Sequence, residues 1–491
     1  MNKDKQNAIW LSANFIFTSL SSLIIIKLNL ENFGNQKFGI WLLLSSIWGF
    51  GTSLDLGLGT SIIKYVAEYR KNYVDRIPIF LASSIVVFVI MGIIIIILGN
   101  IFAYLFYFSN LKIIPNQLNK EFSIVLLILS ANFFVRYLGI FYNNILEGLS
   151  QFKVSSRILM LQSLLNLIMV IIIFAKRWSV IHLSIGQLLV SFITLYLFWF
   201  FLRLKYVEFR INIQNFNLTE LKKILKFSVN VQLMSVFNSI IDPIIKLIIA
   251  SFYLVNIIPA YEIARRITIA ISGLFFNAFK IVLPKSSELI NREHQKSFLE
   301  NTINRYCKYG VIYSGIFYGI LLPAIIFLLD VLFNLNEAIL ILLILSLPET
   351  VNNFGYSIYN FILGIGKVSV LMAVQFINLL ITSLSVILFF VLFNNVIGMI
   401  GYFFSVVIGN IIMIVYLKRR FEFDVNLFLK NASAIKLFFV LFYLGTTVFI
   451  IVKTGEINYI YLIAISLVLL MVFIKDIKYN LNGFYLDFLK R

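Results

Sequence analysis

Apolar runs of about twenty residues recur from one end of the chain to the other, the length a helix needs to cross a hydrocarbon layer. They fall near 7–30, 38–60, 78–106, 122–148, 157–175, 179–202, 227–251, 257–280, 309–330, 338–363, 368–392, 396–417, 434–452 and 457–474. The short segments between them hold most of the charge. This pattern predicts an all-α polytopic membrane protein of about fourteen spans. Gly364-Ile365-Gly366 and Phe393-Asn394-Asn395 predict tight turns between antiparallel neighbours. The first run, Ile9 to Ile26, follows only Lys3 and Lys5 and lacks a small-residue cleavage site, so it reads as a retained span. The longest connection, about residues 203–226, ends in Leu221-Lys222-Lys223-Ile224-Leu225-Lys226, a pattern that predicts an amphipathic interfacial helix.

Composition agrees. Of 491 residues 60% are hydrophobic and 13% charged, about half the charged fraction of a soluble domain. Mean hydropathy is +0.95. Cys307 is the single cysteine, which excludes an internal disulfide and argues against a cysteine-based metal or redox site. A net charge of +19 raises the question of a nucleic-acid partner, but the distribution of that charge answers it. Most of the 41 Lys and Arg lie at the termini and in even-numbered connections, few lie in odd-numbered ones, and Lys27, Arg136, Lys246, Arg265 and Arg266 lie within spans. That bias is the positive-inside rule with both termini cytoplasmic. The basic residues therefore report topology and attraction to anionic membrane lipids, not to nucleic acid.

A short phrase then organises the chain. Tyr142-Asn143-x-Ile145-Leu146 recurs as Tyr359-Asn360-x-Ile362-Leu363. Each copy is followed by Lys-Val-Ser (Lys153 to Ser155, Lys367 to Ser369), then Gln162 or Gln375, then Asn166 or Asn378. The copies fall in spans four to five and ten to eleven, so an even number of crossings separates them. That predicts a parallel repeat about an axis along the membrane normal. The expected division is residues 1–203 as an N-terminal lobe of six spans, 204–226 as a cytoplasmic linker, 227–418 as a C-terminal lobe of six spans, and 419–491 as two further spans and a tail.

Ionisable side chains at membrane depth are costly and face a cavity or one another. Asp242 and Lys246 stand four apart, as do Glu262 and Arg266, with Arg265 three from Glu262. Such spacing shares a helix face and permits pairing, which either lines a cavity or merely neutralises the charges. Lys27 and Arg136 are read as cations with no acid within a helical turn. Lys27 lies near a span end, within reach of the surface, and Arg136 lies near the middle of its span. Together Lys27, Arg136, Lys246, Arg265 and Arg266 predict a cationic cavity between the lobes, suited to phosphate or diphosphate. Asp55, Glu147 and Asp330 sit nearer span ends. Glu349 follows Pro348 in the middle of its span, where proline frees backbone groups, and is expected to carry a proton or cation or to balance Arg136. Asp55, Asp242, Glu262 and Glu349 form the coupling or charge-balancing set. No catalytic residue and no metal ligand is assigned.

Residues 38–69, FGIWLLLSSIWGFGTSLDLGLGTSIIKYVAEY, resemble the second helix of Wzx-type oligosaccharide-lipid flippases of the multidrug/oligosaccharidyl-lipid/polysaccharide (MOP) exporter superfamily. Tyr261-Glu262-Ile263-Ala264-Arg265-Arg266 and Leu283-Pro284-x-Ser286 resemble the eighth helix of that group. The resemblance implies a MATE-like fold of two six-helix lobes plus two helices, in the cytoplasmic membrane of a bacterium. It implies transport of an undecaprenyl-diphosphate-linked oligosaccharide by alternating access, with H+ or Na+ as the coupling ions to test and no bound cofactor. Polysaccharide polymerase and glycosyltransferases are the protein partners it suggests. Gly51, Gly57 and Gly59 in the motif permit close helix packing.

Three rivals stand beside this expectation. A cation-coupled multidrug exporter of the same fold commonly uses acids in its N-terminal lobe, where this chain carries Lys27 and Arg136. A lipid II flippase of the same superfamily fits the cationic cavity almost as well. A glycan-joining membrane enzyme needs a large outer loop with catalytic groups; the longest outer loop, about residues 107–121, carries only Lys112, Lys120 and Glu121. The histidines are His182 and His294, and no Gly-rich phosphate loop or metal-ligand cluster occurs.

Overall fold

The computed structural model of the chain describes residues 3–51, 74–108, 118–205, 213–219, 236–279, 296–333, 336–393, 395–421, 434–454 and 461–473, with isolated positions between them. Among these residues the structure is helical and no strand occurs. The principal helices are α1 (Lys3–Gly51), α2 (Ile77–Phe108), α3 (Asn119–Gly148), α4 (Phe152–Ala175), α5 (Val180–Lys205), α6 (Ile241–Tyr253) and α7 (Ile258–Phe279). They continue with α8 (Asn304–Phe333), α9 (Asn336–Gly364), α10 (Val368–Phe393), α11 (Gly401–Phe421), α12 (Ala434–Thr454) and α13 (Tyr461–Phe473).

A described helix overlaps each expected span, and α6 and α13 cover only part of theirs. The first two share α1, broken at Gly34, whose φ of 72° is open to glycine without penalty. Among the described residues nine helices are long and apolar enough to cross a membrane, or ten if the bent pair 304–318 and 321–332 counts as one span. The amphipathic segment 221–226, Gly57 and Asp55 lie outside the described residues.

The chain divides into two compact units, Met1–Pro259 and Ala260–Arg491. In the first, α3 packs on α2 and α5, and α4 packs along α1. Rings from α2 and α3 fill the core, with Phe88 4.5 Å from Tyr137 and Phe133 5.4 Å from Tyr137. The second half of α1 docks through Trp41, whose Nε1 donates to Ser184 Oγ of α5 at 3.2 Å. Its Gly39 lets the helix approach the Val255 carbonyl, since a Cβ there would lie 2.0 Å from that oxygen. In the second unit α9 is the central post, packed by α8, α11 and α12. By contrast, α4 and α10 bury few of their apolar side chains and leave several exposed, among them Leu164, Ile168, Leu380 and Leu384. Helices clothed this way are satisfied by lipid tails.

The turns that end α3 and α9 are the same turn. Ser150 N donates to Glu147 O at 2.9 Å and Gln151 N to Leu146 O at 2.8 Å; Gly366 N donates to Leu363 O at 3.0 Å and Lys367 N to Ile362 O at 3.1 Å. This is the Schellman pattern, and its left-handed residue is Ser150 in one case and Gly366 in the other. A constant step of 216 residues relates the two (150 and 366, 151 and 367). The register read from the letters needs correction: Tyr142 and Tyr359 are 217 apart, and the Lys-Val-Ser copies fall two residues out of step. In a helix a one-residue slip rotates a side chain by about 100°, so the turn, and not the phrase, identifies equivalent faces.

Candidate functional site

With the turn as register, Arg136 of α3 corresponds to Asn352 of α9, Ile140 to Tyr356, Asn143 to Tyr359 and Gly139 to Gly355. Between residues 341 and 362 of α9 every side chain is buried except Asn352, Tyr356 and Tyr359. Their spacing of four and three places them on one stripe. The equivalent stripe of α3, Arg136, Ile140 and Asn143, is also incompletely covered. Each unit thus leaves open the same face of its central helix.

In the first unit that face is polar. Asn132, Arg136, Asn143 and Glu147 follow one another at helical spacing. Asn132 accepts a hydrogen bond from Ser191 Oγ at 2.6 Å, and Asn143 accepts from Ser155 Oγ at 2.6 Å while donating to Glu147 at 2.9 Å. Arg136 is exposed on this stripe. Among the described residues no carboxylate pairs with it. Three residues on, a Cβ built at the buried Gly139 meets nothing within 4 Å, so a small side chain would fit there.

The other candidate cations are compensated. Lys27 lies 3.8 Å from Glu31 on an exposed face of α1, which corrects the reading of Lys27 as lacking a nearby acid: Glu31, four residues on, falls just past the expected span end. Lys246 Nζ lies 2.8 Å from Asp242, and its side chain is only 5% exposed. Arg266 Nε meets Glu262 at 2.7 Å. These two pairs are the ones that i, i+4 spacing predicts.

Arg265 reaches across to another helix. Its guanidinium donates to Glu349 Oε1 at 2.9 Å and lies 5.9 Å from the centre of the Tyr402 ring. Glu349 is 5% exposed and accepts further bonds from Ser272 Oγ at 2.7 Å, Asn352 Nδ2 at 3.2 Å and the Tyr356 hydroxyl at 3.4 Å. A buried carboxylate so surrounded is paired and saturated. Within this unit Arg265 supplies its counter-charge. Asp330 accepts from the Tyr459 hydroxyl at the far end of α8.

Sequence reasoning missed Glu31, Ser272, Asn352 and Tyr356. Glu31 was legible from its spacing to Lys27. Ser272 lies seven residues from Arg265 on the same face of α7, a signal that exists once Arg265 is known to face α9. Cys307 is buried, with its Sγ 3.0 Å from Ser357 Oγ.

The family model described as polysaccharide biosynthesis protein matches residues 5–290. No curated protein matches. Among solved structures, an inward-facing multidrug resistance MATE family transporter of the MOP superfamily superposes with a TM-score of 0.66 at 16% identity, covering 85% of this chain and 99% of its own. The lipid II flippase MurJ in an inward closed conformation gives a TM-score of 0.65 at 18% identity, covering 96% of this chain and 99% of its own. A MOP superfamily transporter from Pyrococcus furiosus, described as having a binding pocket of reverse polarity, gives 0.51 at 18% identity, covering 88% of this chain and 94% of its own. The family match covers more than half of the chain, the fold is that of the MOP superfamily structures, and the apolar helices are those of a multi-pass membrane protein: the chain belongs to the polysaccharide biosynthesis protein family.

Proposed function

We propose that the protein is a flippase that moves an undecaprenyl-diphosphate-linked oligosaccharide, the repeat unit of a surface polysaccharide, across the bacterial cytoplasmic membrane by alternating access. The observation that carries this reading is Arg136. It is the candidate cation that has no acid partner among the described residues, and it stands exposed on the open face of α3. A guanidinium held in this way has its donors free for two phosphate oxygens. An ion pair such as Lys246–Asp242 presents almost no net charge to a ligand, so the attraction for a diphosphate concentrates on one residue instead of five. The same charge disfavours a cationic drug.

The comparisons support the class of cargo. The family model is one of polysaccharide biosynthesis, one structural neighbour is a lipid II flippase, and another bears a pocket of reverse polarity, so this fold accommodates pockets of either sign. In this reading both termini are cytoplasmic, glycosyltransferases supply the lipid-linked unit on the inner leaflet and a polymerase consumes it on the outer one. Glu349, bonded to Arg265, is the acid whose protonation or cation binding would couple transport. The test is deletion and complementation, with the leaflet on which the lipid-linked oligosaccharide accumulates as readout. Inner-leaflet accumulation in the deletion strain supports the reading; loss of lipid II transport with the oligosaccharide unaffected would transfer the protein to the lipid II branch.

A further inference from the structure

The open face of α9 carries a feature that the charges do not explain. Phe276 of α7 lies against Tyr356, ring centres 5.3 Å apart at 78°, and near Tyr359 at 6.5 Å and 60°. All three rings are half-buried, whereas the other aromatics of this stretch of α9, Phe354 and Phe361, are buried in the core. Phe276 shares its face of α7 with Arg265 and Ser272 at helical spacing, so one seam between α7 and α9 carries the Arg265–Glu349 pair and then the three rings. Asn352 and the Tyr356 hydroxyl border the rings with polar atoms already fixed by Glu349.

Rings that are partly open, rigidly braced and edged by amide and hydroxyl groups suit one kind of ligand. A pyranose has an apolar face of C–H groups that lies flat on an aromatic ring, while its equatorial hydroxyls reach polar groups at the rim. A site made of aromatic walls with few fixed polar groups is the general form of a small-molecule pocket, and tyrosine offers both the ring and the handle. A diphosphate finds little here, because the Arg265 charge is spent on Glu349.

We propose that Phe276, Tyr356 and Tyr359 form a sugar-stacking subsite in the second unit, distinct from the phosphate-binding Arg136 in the first. This rests on the transport reading above and assigns the glycan part of that cargo to the second unit.

Binding of two lipids to the full-length protein in nanodiscs tests it: undecaprenyl diphosphate, and the same lipid carrying one N-acetylglucosamine. The wild type binds the glycosylated lipid roughly five- to tenfold more tightly, the size of one aromatic stacking contact. Tyr359→Leu, which keeps apolar volume, removes that difference and leaves the bare lipid unchanged; Tyr359→Phe, which keeps the ring, retains it. Arg136→Ala weakens both lipids by the same factor. Phe276→Leu, on the other helix, repeats the measurement should Tyr359→Leu fold poorly. A preference that survives in the leucine variants overturns the subsite, as does a leucine variant that loses the bare lipid. Equal binding of both lipids by the wild type sinks the subsite alone, and binding of neither sinks the transport reading with it.

Discussion

The helices α3 and α9 end in equivalent turns and are opposite in what they display. Both end in the same Schellman turn, both carry a glycine eleven residues before that turn's left-handed residue (Gly139 and Ser150, Gly355 and Gly366), and both leave the same stripe uncovered. On α3 that stripe holds a guanidinium with no acid partner among the described residues, and a Cβ at Gly139 would meet nothing within 4 Å. On α9 it holds an amide and two phenols, with a carboxylate beneath them already spent on Arg265. Duplication has kept the scaffold that positions a face and has let the chemistry of the face diverge.

The sharpest way to break the comparison is to unbalance the second unit. Glu349→Ala leaves Arg265 without its carboxylate in a largely buried site, an error that costs about 3–5 kcal/mol. Thermal unfolding in detergent should show a large loss, with partial recovery in the Glu349→Ala, Arg265→Ala double variant. Arg136→Ala, by contrast, removes an accessible charge with no acid partner among the described residues and should leave unfolding almost unmoved. Equal losses in the two variants would mean that the open faces are not different in kind.

The glycines probe the same contrast more gently. A Cβ at Gly355 would lie 1.8 Å from Asn410 Oδ1, which α11 holds in place through its Nδ2 bond to Val406 O at 2.9 Å. Gly355→Ala should therefore cost about 1–3 kcal/mol by overpacking. Gly139→Ala meets open space and should be neutral or stabilising by up to about 1 kcal/mol, as alanine favours the helix. The smallest expected effect is at Lys27. Its pair with Glu31 is 3.8 Å long and exposed on both sides, so Lys27→Ala should change stability by no more than about 0.5 kcal/mol. Transport should continue in that variant; its loss would restore Lys27 to the phosphate site.

Much of this arrangement was legible in the residues. Long apolar runs leave the backbone no option but helix in lipid, so the helices stand where hydropathy places them. The pairs Asp242–Lys246 and Glu262–Arg266 follow from spacing on a single helix. The pair Arg265–Glu349 did not, since 84 residues separate its members and nothing local says which face of α7 meets α9. The ring cluster was hidden for another reason: in a chain with 16% aromatics, Phe276, Tyr356 and Tyr359 look like any others until burial separates the three from the core. The register failed by one residue because letters in apolar helices repeat easily, whereas a turn with a left-handed residue does not.

Under the proposed function Arg136, and not the set of five cations, holds the diphosphate. That assignment is tested most directly in cells by asking on which leaflet the lipid-linked oligosaccharide accumulates in Arg136→Ala, set beside Lys246→Ala and Arg266→Ala at matched protein levels. The account predicts inner-leaflet accumulation and loss of surface polymer in Arg136→Ala, with Arg136→Lys intermediate because it keeps the charge but loses the bidentate fork. Normal outer-leaflet delivery by Arg136→Ala would contradict it.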